Sequence, residues 1–211
     1  MFFNTLGEYN IFKVAPLIGE PEMKALMLNK SFEFITLENY CLPNIQKEIF
    51  ILLRKSLEWY PDILNWYFNI FIPGFIDGRR NILICHIDNK VAGIALLKND
   101  FNEKKICTFR VKYDYRSNGI GKTLFKKCLE TLDTDKPVFT VPAERLCYFS
   151  NILKYYNFRL EQIVQNYYRD NSKEYVFNGN LGLERMLNNI DKNIYYESTS
   201  GCFSNVLSGI I

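Results

Sequence analysis

The sequence predicts one α+β (mixed α/β) domain with short extensions. Short runs of alternating apolar residues are bounded by turn residues, four other segments show helical spacing, and the two kinds of segment are interleaved along the chain. The chain has 211 residues, of which 48% are hydrophobic and 23% charged, enough apolar material for a sizeable core. We place the domain at residues 31–180, an N-terminal extension at residues 1–30 and a C-terminal extension at residues 181–211.

The first part of the domain is predicted to contain one strand and two helices. A strand-like alternation covers residues 32–40. Pro43 stands where it can begin a helix, and apolar residues then recur at helical spacing over residues 45–57. A second helical stretch, residues 63–71, is expected to end near Pro73.

Three strands follow, separated by polar turns. The sequence Asp88-Asn89-Lys90 predicts a hairpin between the first two of them. Alternation places Cys107, Phe109 and Val111 on one face of the third strand. The predicted strands are residues 82–87, 91–97 and 105–113.

Helices and strands alternate after the third of these strands. Apolar residues from Ile120 to Leu132 recur at helical spacing, and Gly119 and Gly121 open that helix. The predicted elements are helices at residues 120–132 and 146–156 and strands at residues 138–141, 158–168 and 175–177.

Charge and cysteine content argue against several kinds of partner. The net charge of +3 gives no reason to expect a nucleic acid or an anionic membrane surface. The six cysteines form no CxxC pair and His86 has no partner at ligand spacing, so we predict no metal site. Cys85, Cys107, Cys128 and Cys147 lie in apolar segments, as reduced core thiols do, so we expect a cytoplasmic protein.

Neither a secretory signal nor a membrane span is predicted. The first ten residues lack a basic segment followed by an apolar run. The longest apolar stretch, residues 63–76, is interrupted by polar residues and is shorter than the roughly 20 residues that span a bilayer.

The segment that carries chemical information joins the third strand to the helix at Ile120. A helix N-terminus has backbone N–H groups without partners and the positive end of the macrodipole. Gly119 and Gly121 allow a bulky anion to approach this backbone, and Arg116 adds a fixed positive charge. The segment therefore predicts a phosphate or pyrophosphate cradle, with an ordinary tight turn as the alternative. It lacks the first glycine of the dinucleotide fingerprint and does not match the P-loop pattern.

Arg116, Gly119 and Gly121 form an R-x-x-G-x-G sequence that resembles the cofactor-binding motif of the GNAT N-acyltransferase superfamily. In that family the motif follows a strand with a valine, matched here by Val111, and leads into a helix. Ser117 stands where many members have a glycine.

The flanking sequence resembles the same family. Gly93 lies in the second strand of the hairpin, as in the common family pattern, and Asn157-Phe158 closes the later helix where most members have Gly-Phe. The resemblance covers about residues 31–180.

The resemblance implies a GNAT-like, mostly antiparallel twisted sheet of about six to seven strands, flanked by about four helices. It also implies a V-shaped splay between the fourth and fifth strands. The pantetheine arm of acetyl-CoA would lie in this splay, near residues 109–111 and 140–141, and the loop amides would hold its pyrophosphate. The implied cofactor-binding residues are Phe109, Val111, Arg116, Ser117, Asn118, Gly119, Ile120, Gly121, Lys122 and Thr123.

The implied activity is transfer of an acetyl or acyl group from acetyl-CoA to a primary amine. The amine attacks the thioester directly, so no nucleophilic side chain and no metal is needed. A backbone N–H within residues 109–111 would polarise the thioester carbonyl, and the rate would come largely from holding the two substrates together.

The catalytic residues are less well defined by the resemblance. Many members have a tyrosine as general acid at the position that Leu153 occupies here. Tyr156 lies about 60° around the helix and about 4.5 Å along it, and is the candidate substitute, with a packing role as its alternative. Glu144 is the candidate base, with a solvated loop carboxylate as its alternative.

Two other functions stay open at this stage. The first alternative is a catalytically weak protein that binds acyl-CoA or another partner, which the leucine at position 153 favours. The second alternative is a toxin-type acetyltransferase that acts on aminoacyl-tRNA and contacts the RNA through a lysine row on one helix. A monomer and a homodimer are both compatible with the sequence. The lysines of this row are Lys122, Lys126 and Lys127.

The acceptor is expected to contact the two early helices and the final hairpin. An aromatic cluster in this region is predicted either to line the acceptor pocket or to form core. The cluster consists of Trp59, Tyr60, Trp66, Tyr67 and Phe68.

Overall fold

A seven-stranded sheet organises the chain in a computed structural model, which describes residues 30–35 and 37–181. The extension boundaries predicted at residues 30 and 181 lie at the limits of this part, and they stay predictions. The elements are β1 (Lys30–Phe34), α1 (Leu37–Tyr40), α2 (Pro43–Arg54), α3 (Ile63–Trp66), a π-helical turn (Tyr67–Phe71), α4 (Ile72–Ile76), β2 (Arg80–Ile87), β3 (Lys90–Asn99), β4 (Lys104–Val111), α5 (Ile120–Leu132), β5 (Val138–Pro142), α6 (Leu146–Tyr155), β6 (Leu160–Gln165) and β7 (Lys173–Phe177).

The strand order is β1-β2-β3-β4-β5-β7-β6, and neighbouring strands are antiparallel except for the parallel pair β4–β5. A parallel pair requires a crossover connection, which α5 provides. The hairpin pairs β2–β3, β3–β4 and β6–β7 follow from short connections, such as the turn in which Asp88 and Asn89 both have positive φ. The predicted mixed fold with a mostly antiparallel sheet is confirmed.

Each face of the sheet carries its own hydrophobic core. α5 and α6 pack on one face around Leu124, Phe125 and Phe139, and we name this the helix α5 face. The segment from α2 to α4 packs on the other face around Leu53 and Phe71, and we name this the helix α2 face. In the part of the chain described, no helix has the length and apolar character needed to cross a membrane.

Two early boundaries differ from those predicted. The strand predicted over residues 32–40 ends at Phe34, and the chain turns into α1, where Tyr40 packs edge-on against Phe75 with ring centroids 5.6 Å apart. The helix predicted to end near Pro73 continues to Ile76. Pro73 lies in the first turn of α4, directly after the π-helical turn, and a missing backbone N–H is tolerated in a first helical turn.

The third predicted strand, β4, contains a β-bulge at Cys107. Leu96 pairs with Thr108 and Leu97 with Ile106, so Cys107 is the residue that the bulge inserts into β4. Its thiol faces the helix α2 side, where Arg80 Nη1 lies 3.8 Å from Cys107 Sγ. The prediction that Cys107 shares a face with Phe109 and Val111 is therefore wrong, because the bulge inserts one residue and reverses the alternation.

The cysteine environments agree only partly with the predicted core thiols. Cys85 and Cys128 are buried, whereas Cys107 is half-buried and Cys147 is exposed in the first turn of α6. An apolar segment predicts burial of the segment as a whole, but it does not determine which side of a helix a given residue occupies.

Gly93 provides a test of how closely β3 approaches its neighbours. A Cβ at this position would lie 2.7 Å from the Arg110 carbonyl oxygen and 3.3 Å from a methyl group of Leu124. We predict that Gly93→Ala lowers the free energy of unfolding by about 1–3 kcal/mol in urea denaturation, because backbone atoms must move.

Gly121→Ala is the matched control for this substitution. A Cβ at Gly121 meets no atom within 4 Å, and alanine favours a helix by about 0.5–1 kcal/mol over glycine. Its stability should equal or exceed that of the wild type. A Gly93→Ala protein as stable as the Gly121→Ala protein would contradict the close approach.

Candidate functional site

The parallel strands β4 and β5 separate after two residue pairs. They pair only at Lys105–Val138 and Ile106–Phe139. Beyond these pairs β4 continues along β3, whereas β5 continues along β7. A V-shaped gap therefore opens towards the carboxyl ends of the fourth and fifth strands, as predicted, and we refer to it as the splay.

Backbone groups of β4 point into the splay. The Lys112 N–H donates to the Ala92 carbonyl at 2.8 Å, and the antiparallel ladder alternates from there, so Arg110 also faces β3. The peptide groups of Phe109 and Val111 consequently face the splay. The Val111 carbonyl accepts a hydrogen bond from Arg116 Nε at 3.2 Å. The Phe109 peptide group and the Val111 N–H are directed at the space where the predicted ligand would lie.

The loop between β4 and α5, which we name the cradle, leads into an uncapped helix N-terminus of the kind predicted to bind an anion. Ser117 and Gly119 both have positive φ, 63° and 72°, which turns the chain sharply into α5. No side chain caps this helix, and the first intrahelical bond runs from the Thr123 N–H to the Gly119 carbonyl at 3.1 Å. The N–H groups of the first turn therefore have no partner within the helix. A Cβ at Gly119 would meet no atom within 4 Å, so the space before the helix is open.

Arg116 lies beside this cradle, and the lysines of α5 lie elsewhere. The Arg116 guanidinium bonds to the end of β4 and stacks 5.5 Å from the centre of the Tyr113 ring. Lys122 Nζ lies 3.9 Å over the Tyr155 ring, and Lys126 and Lys127 both contact Glu130. The lysine row is thus an exposed face of α5 that is partly neutralised by its own helix.

The connection between α2 and α3, residues 55–62, crosses the splay on the helix α2 face. Ser56 Oγ accepts a hydrogen bond from Arg110 Nη1 at 2.7 Å. The Trp59 ring lies 5.7 Å from the Arg110 guanidinium and 4.6 Å from that of Arg145. Because Arg110 belongs to β4 and Arg145 follows β5, Trp59 bridges the two sides of the splay.

Arg145 is held between two aromatic rings, since its guanidinium also lies 4.2 Å from the centre of the Tyr148 ring. Burial lowers the pKa of Arg110 to about 10, and the charges of Arg145 and Arg116 lower it as well, against an opposing effect of Glu58. Three arginine charges thus act on one another at this side of the splay, with Glu58 as the opposing negative charge.

A buried carboxyl group lies one strand away from the splay. Glu174 on β7 is only 3% exposed and lies opposite Pro142 of β5. Its Oε1 accepts a hydrogen bond from the Tyr60 hydroxyl at 3.0 Å, and the Thr140 side chain also bonds to the carboxyl group.

Burial has the largest effect on the pKa of this carboxyl group and raises the pKa of Glu174 to about 7. The hydrogen bonds from Tyr60 and Thr140 and the charge of Lys105 oppose this increase, whereas Glu144 adds to it. A carboxyl group with a pKa near 7 exchanges protons readily at neutral pH.

Sequence reasoning missed Glu174, although one signal for it exists. Glu174 is two residues from Val176, so period-two alternation puts both on one face of β7, and Val176 is fully buried. The hydroxyl partner of Glu174, Tyr60, is 114 residues away and was not predictable from spacing.

The two catalytic residues predicted from the sequence lie in different places. Glu144 follows β5 at the open end, and its carboxylate forms an ion pair with Arg169. Its own backbone amide and the Arg169 side chain hold the pKa of Glu144 below its usual range. Tyr156 follows α6, stacks on Phe125 with ring centroids 5.4 Å apart, and its carbonyl accepts a hydrogen bond from Lys136, which precedes β5.

These contacts place Tyr156 towards the closed end of the splay, away from Glu144. Burial raises the pKa of Tyr156. Leu153, at the position of the usual tyrosine, is buried in the core.

The predicted aromatic cluster is divided between core and site. Trp66, Tyr67 and Phe68 belong to the core on the helix α2 face, whereas Trp59 and Tyr60 reach the splay. Core packing is therefore confirmed for Trp66, Tyr67 and Phe68, whereas an acceptor-lining role for Trp59 and Tyr60 stays a prediction.

A shallow depression of about 590 Å³ lies at the opposite end of β5 and is not the site proposed here. It is remote from the loop amides and from Glu174, whereas chemistry requires a place where an anion cradle and an ionisable group converge. Its lining residues are Lys136, Asn157, Arg159, Glu161, Asn178 and Gly179.

Comparison with known proteins identifies a related domain within the chain. Residues 70–146 match the acetyltransferase (GNAT) domain family. This region runs from the π-helical turn through β5 and includes the loop and both strands of the splay. No curated protein matches the sequence significantly.

Solved structures with the same fold include several acetyltransferases. The ribosomal-protein-S18-alanine N-acetyltransferase from Escherichia coli has a TM-score of 0.54 and 13% identity, with 71% of this chain and 92% of that chain covered. A GNAT family acetyltransferase from Elizabethkingia anophelis with acetyl-CoA bound has a TM-score of 0.52 and 18% identity, covering 71% and 96%. Spermidine N-acetyltransferase from Vibrio cholerae, in complex with CoA and spermine, has a TM-score of 0.53 and 11% identity, covering 70% and 93%.

The raised pKa of Glu174 predicts a specific dependence of stability on pH. The folded state binds the proton more tightly than the unfolded chain, whose carboxyl group has a pKa near 4.5. Glu174 therefore destabilises the fold progressively as the pH rises from about 4.5 to about 7. The free energy of unfolding of Glu174→Gln should be measured by urea denaturation and compared with that of the wild type at pH 5 and at pH 8. The difference should shift in favour of the variant by up to about 3 kcal/mol at the higher pH.

Glu144→Gln serves as the control, because the pKa of Glu144 is lowered and its removal should give no gain at high pH. The same stability difference between Glu174→Gln and the wild type at both pH values would show that Glu174 ionises normally.

Proposed function

We propose that the chain, whose residues 70–146 match the acetyltransferase (GNAT) domain family, transfers an acetyl group from acetyl-CoA to a primary amine. The observation that carries this proposal is the splay itself. Its open end has the uncapped helix α5 on one side and a buried carboxyl group on the other. A diphosphate fits the first, and an amine that must lose a proton fits the second.

In this proposal the cosubstrate enters from the loop. The amides at the start of α5 hold the pyrophosphate, and Arg116 adds its charge beside them. The pantetheine arm extends along β4 and pairs with the peptide groups of Phe109 and Val111. A backbone N–H of β4 donates to the thioester carbonyl oxygen and stabilises the negative charge that develops there during attack.

The reaction itself is a direct acyl transfer. The neutral amine nitrogen forms a bond to the acetyl carbon, and the carbon–sulfur bond breaks with its electron pair on sulfur. One amine proton must be removed before or during attack, and the thiolate gains one proton to leave as CoA-SH. The splay holds both substrates in one place, which replaces a bimolecular encounter by an oriented one.

We propose Glu174 as the group that accepts the amine proton. With a pKa near 7 it is partly ionised at neutral pH, and the Thr140 hydroxyl, which bonds to it, belongs to the β5 side of the splay. Glu144 is less suited, because its ion pair with Arg169 stabilises the carboxylate and weakens it as a base. The proposal does not depend on Tyr156, because water can protonate the departing thiolate.

The alternative functions predict different behaviour. A protein that only binds acyl-CoA would bind CoA and release no thiol with any amine. An aminoacyl-tRNA acetyltransferase would bind tRNA with a strong dependence on salt. Lys126 and Lys127 pair with Glu130, as expected for a solvated helix face, and this pairing gives no support to a role in RNA binding. The cytoplasmic location stays a prediction.

CoA binding tests the cradle directly. We expect calorimetry to detect CoA binding by the wild type, and Arg116→Gln to weaken it about tenfold or more, since a charged hydrogen bond to phosphate contributes roughly 1.5–3 kcal/mol. Lys126→Gln is the matched control, because it removes one positive charge from the exposed face of α5. Equal affinities for the two variants, or no affinity of the folded wild type, would refute the cradle.

A pH–rate profile tests Glu174. Thiol release from acetyl-CoA should be measured over a panel of primary amines, including peptide N-termini and a charged tRNA. With any amine that reacts, the rate should rise with pH through about 7, as Glu174 becomes a carboxylate. Glu174→Gln should lower kcat by about 10²–10⁴-fold and remove that limb.

Two further variants distinguish the proposed base, Glu174, from the two catalytic residues predicted from the sequence. Glu144→Gln and Tyr156→Phe should each change kcat by less than about threefold. Retention of the pH limb in Glu174→Gln together with its loss in Glu144→Gln would transfer the role of base to Glu144. A large decrease confined to Tyr156→Phe would support the general acid predicted from the sequence.

A further inference from the structure

Two arginines at the splay have no role in the acetyl transfer described above. Arg110 and Arg145 lie on the helix α2 face, the side from which the amine must approach. Both side chains are half-buried, and neither forms an ion pair within 4 Å of a carboxylate among residues 30–35 and 37–181, although the Glu58 charge acts on Arg110 from a longer distance. An anionic ligand could therefore still supply a direct partner to either guanidinium group.

The contacts of these arginines leave their hydrogen-bonding edges available. A guanidinium that stacks on an aromatic ring uses its face, and its N–H donors point outwards in the plane. The Arg145 guanidinium carbon lies over both the Trp59 and the Tyr148 ring, 4.6 and 4.2 Å from their centres. The Arg110 guanidinium carbon lies 5.7 Å from the centre of the Trp59 ring, and its Nη1 donates to Ser56, which leaves its other donors for a ligand. Such a pair of forks matches the two oxygens of a carboxylate.

The positions of the two arginines indicate where an anionic group would lie relative to the acceptor amine. Arg110 stands between Phe109 and Val111, whose peptide groups line the splay. Trp59, which contacts both arginines, is followed directly by Tyr60, whose hydroxyl holds Glu174. One connection between helices thus contacts a positive pair on one side and a carboxyl group on the other. An acceptor that used both features would carry an amine for the carboxyl group and an anionic group for the arginines.

We propose that the acceptor amine carries a carboxylate, and that Arg110 and Arg145 bind this carboxylate across the splay. The proposal rests on the proposed function, because it names the class of amine that the same site accepts. An amine with an additional anionic group, such as an amino acid or an acidic peptide end, fits the site. A polycation such as spermidine is repelled by the two arginines.

The electrostatics of Arg110 support this assignment. Its pKa is lowered by burial and then by the neighbouring charges of Arg145 and Arg116, with Glu58 acting in the opposite direction. A bound anion would offset the mutual repulsion of these arginines. Since CoA is itself anionic, its phosphates are the competing source of such an anion.

Succinate is a suitable probe, because it presents carboxylates without an amine. Calorimetry on the free and the CoA-saturated protein should detect succinate binding, with succinamide as the uncharged control ligand. Arg145→Gln and Arg110→Gln should each weaken succinate binding about tenfold or more. Arg145→Lys, which keeps the charge but loses the planar fork, should weaken it to a smaller extent. Arg159→Gln at the closed end of the splay is the matched control and should have no effect.

A second measurement uses the reaction. Thiol release should be faster with γ-aminobutyrate than with butylamine by about tenfold or more in kcat/KM, and slow with spermidine. Arg145→Gln should abolish the preference for γ-aminobutyrate, mainly by lowering its rate.

The outcomes separate this proposal from the proposed function. Absence of succinate binding, or equal binding by Arg145→Gln and Arg159→Gln, overturns the carboxylate site. If the arginine variants weaken CoA binding as much as succinate binding, the arginines hold the cosubstrate and the proposal is also overturned. Failure of the wild type to bind CoA overturns the proposed function, whereas the carboxylate site is then judged by succinate binding to the free protein.

Discussion

The separation of β4 and β5 is the constraint on which the site depends. Two strands that begin as a parallel pair stop pairing after Ile106 and Phe139, and aromatic rings fill the space beneath the opening. Phe149 of α6 packs edge-on against both Phe109 of β4 and Phe139 of β5, with centroids 6.1 and 5.2 Å away. A ring in this position acts as a wedge, so the strands cannot close and pair further without displacing core. Each strand diverges towards its other neighbour, β3 or β7.

An open pair of strands has unpaired peptide groups, which is unfavourable unless a ligand or water satisfies them. The same groups are what an extended amide-containing ligand needs. The loop after β4 follows the same logic, because α5 has no side-chain cap and Ser117 adopts a positive φ that a glycine would adopt more easily. These energetically unfavourable features are all located at the splay. Such a location is expected where the binding of a ligand offsets their cost.

The two faces of the sheet have separate tasks. The helix α5 face supplies the helix terminus and the aromatic wedge, both suited to a cosubstrate. The helix α2 face supplies Arg110, Arg145 and Glu174, all contacted by one connection that carries Ser56, Trp59 and Tyr60. Under the proposed function, changes in the sequence of this connection would alter the acceptor without disturbing the cradle. The domain could then retain one cosubstrate site while its acceptor site diverges.

The sequence alone determined those features that depend on neighbouring residues. Arg116, Gly119 and Gly121 are close together in the chain, so the loop they form and the helix that follows it were predictable, as was most of the order of strands and helices along the chain. Only the tertiary structure decided which side chains meet. The bulge at Cys107 reverses the alternation within β4, and the partners Tyr60 and Glu174 are 114 residues apart. Periodicity tells which residues share a face, but long-range packing determines which faces meet, and the acid–base and charged groups of the site arise from that packing.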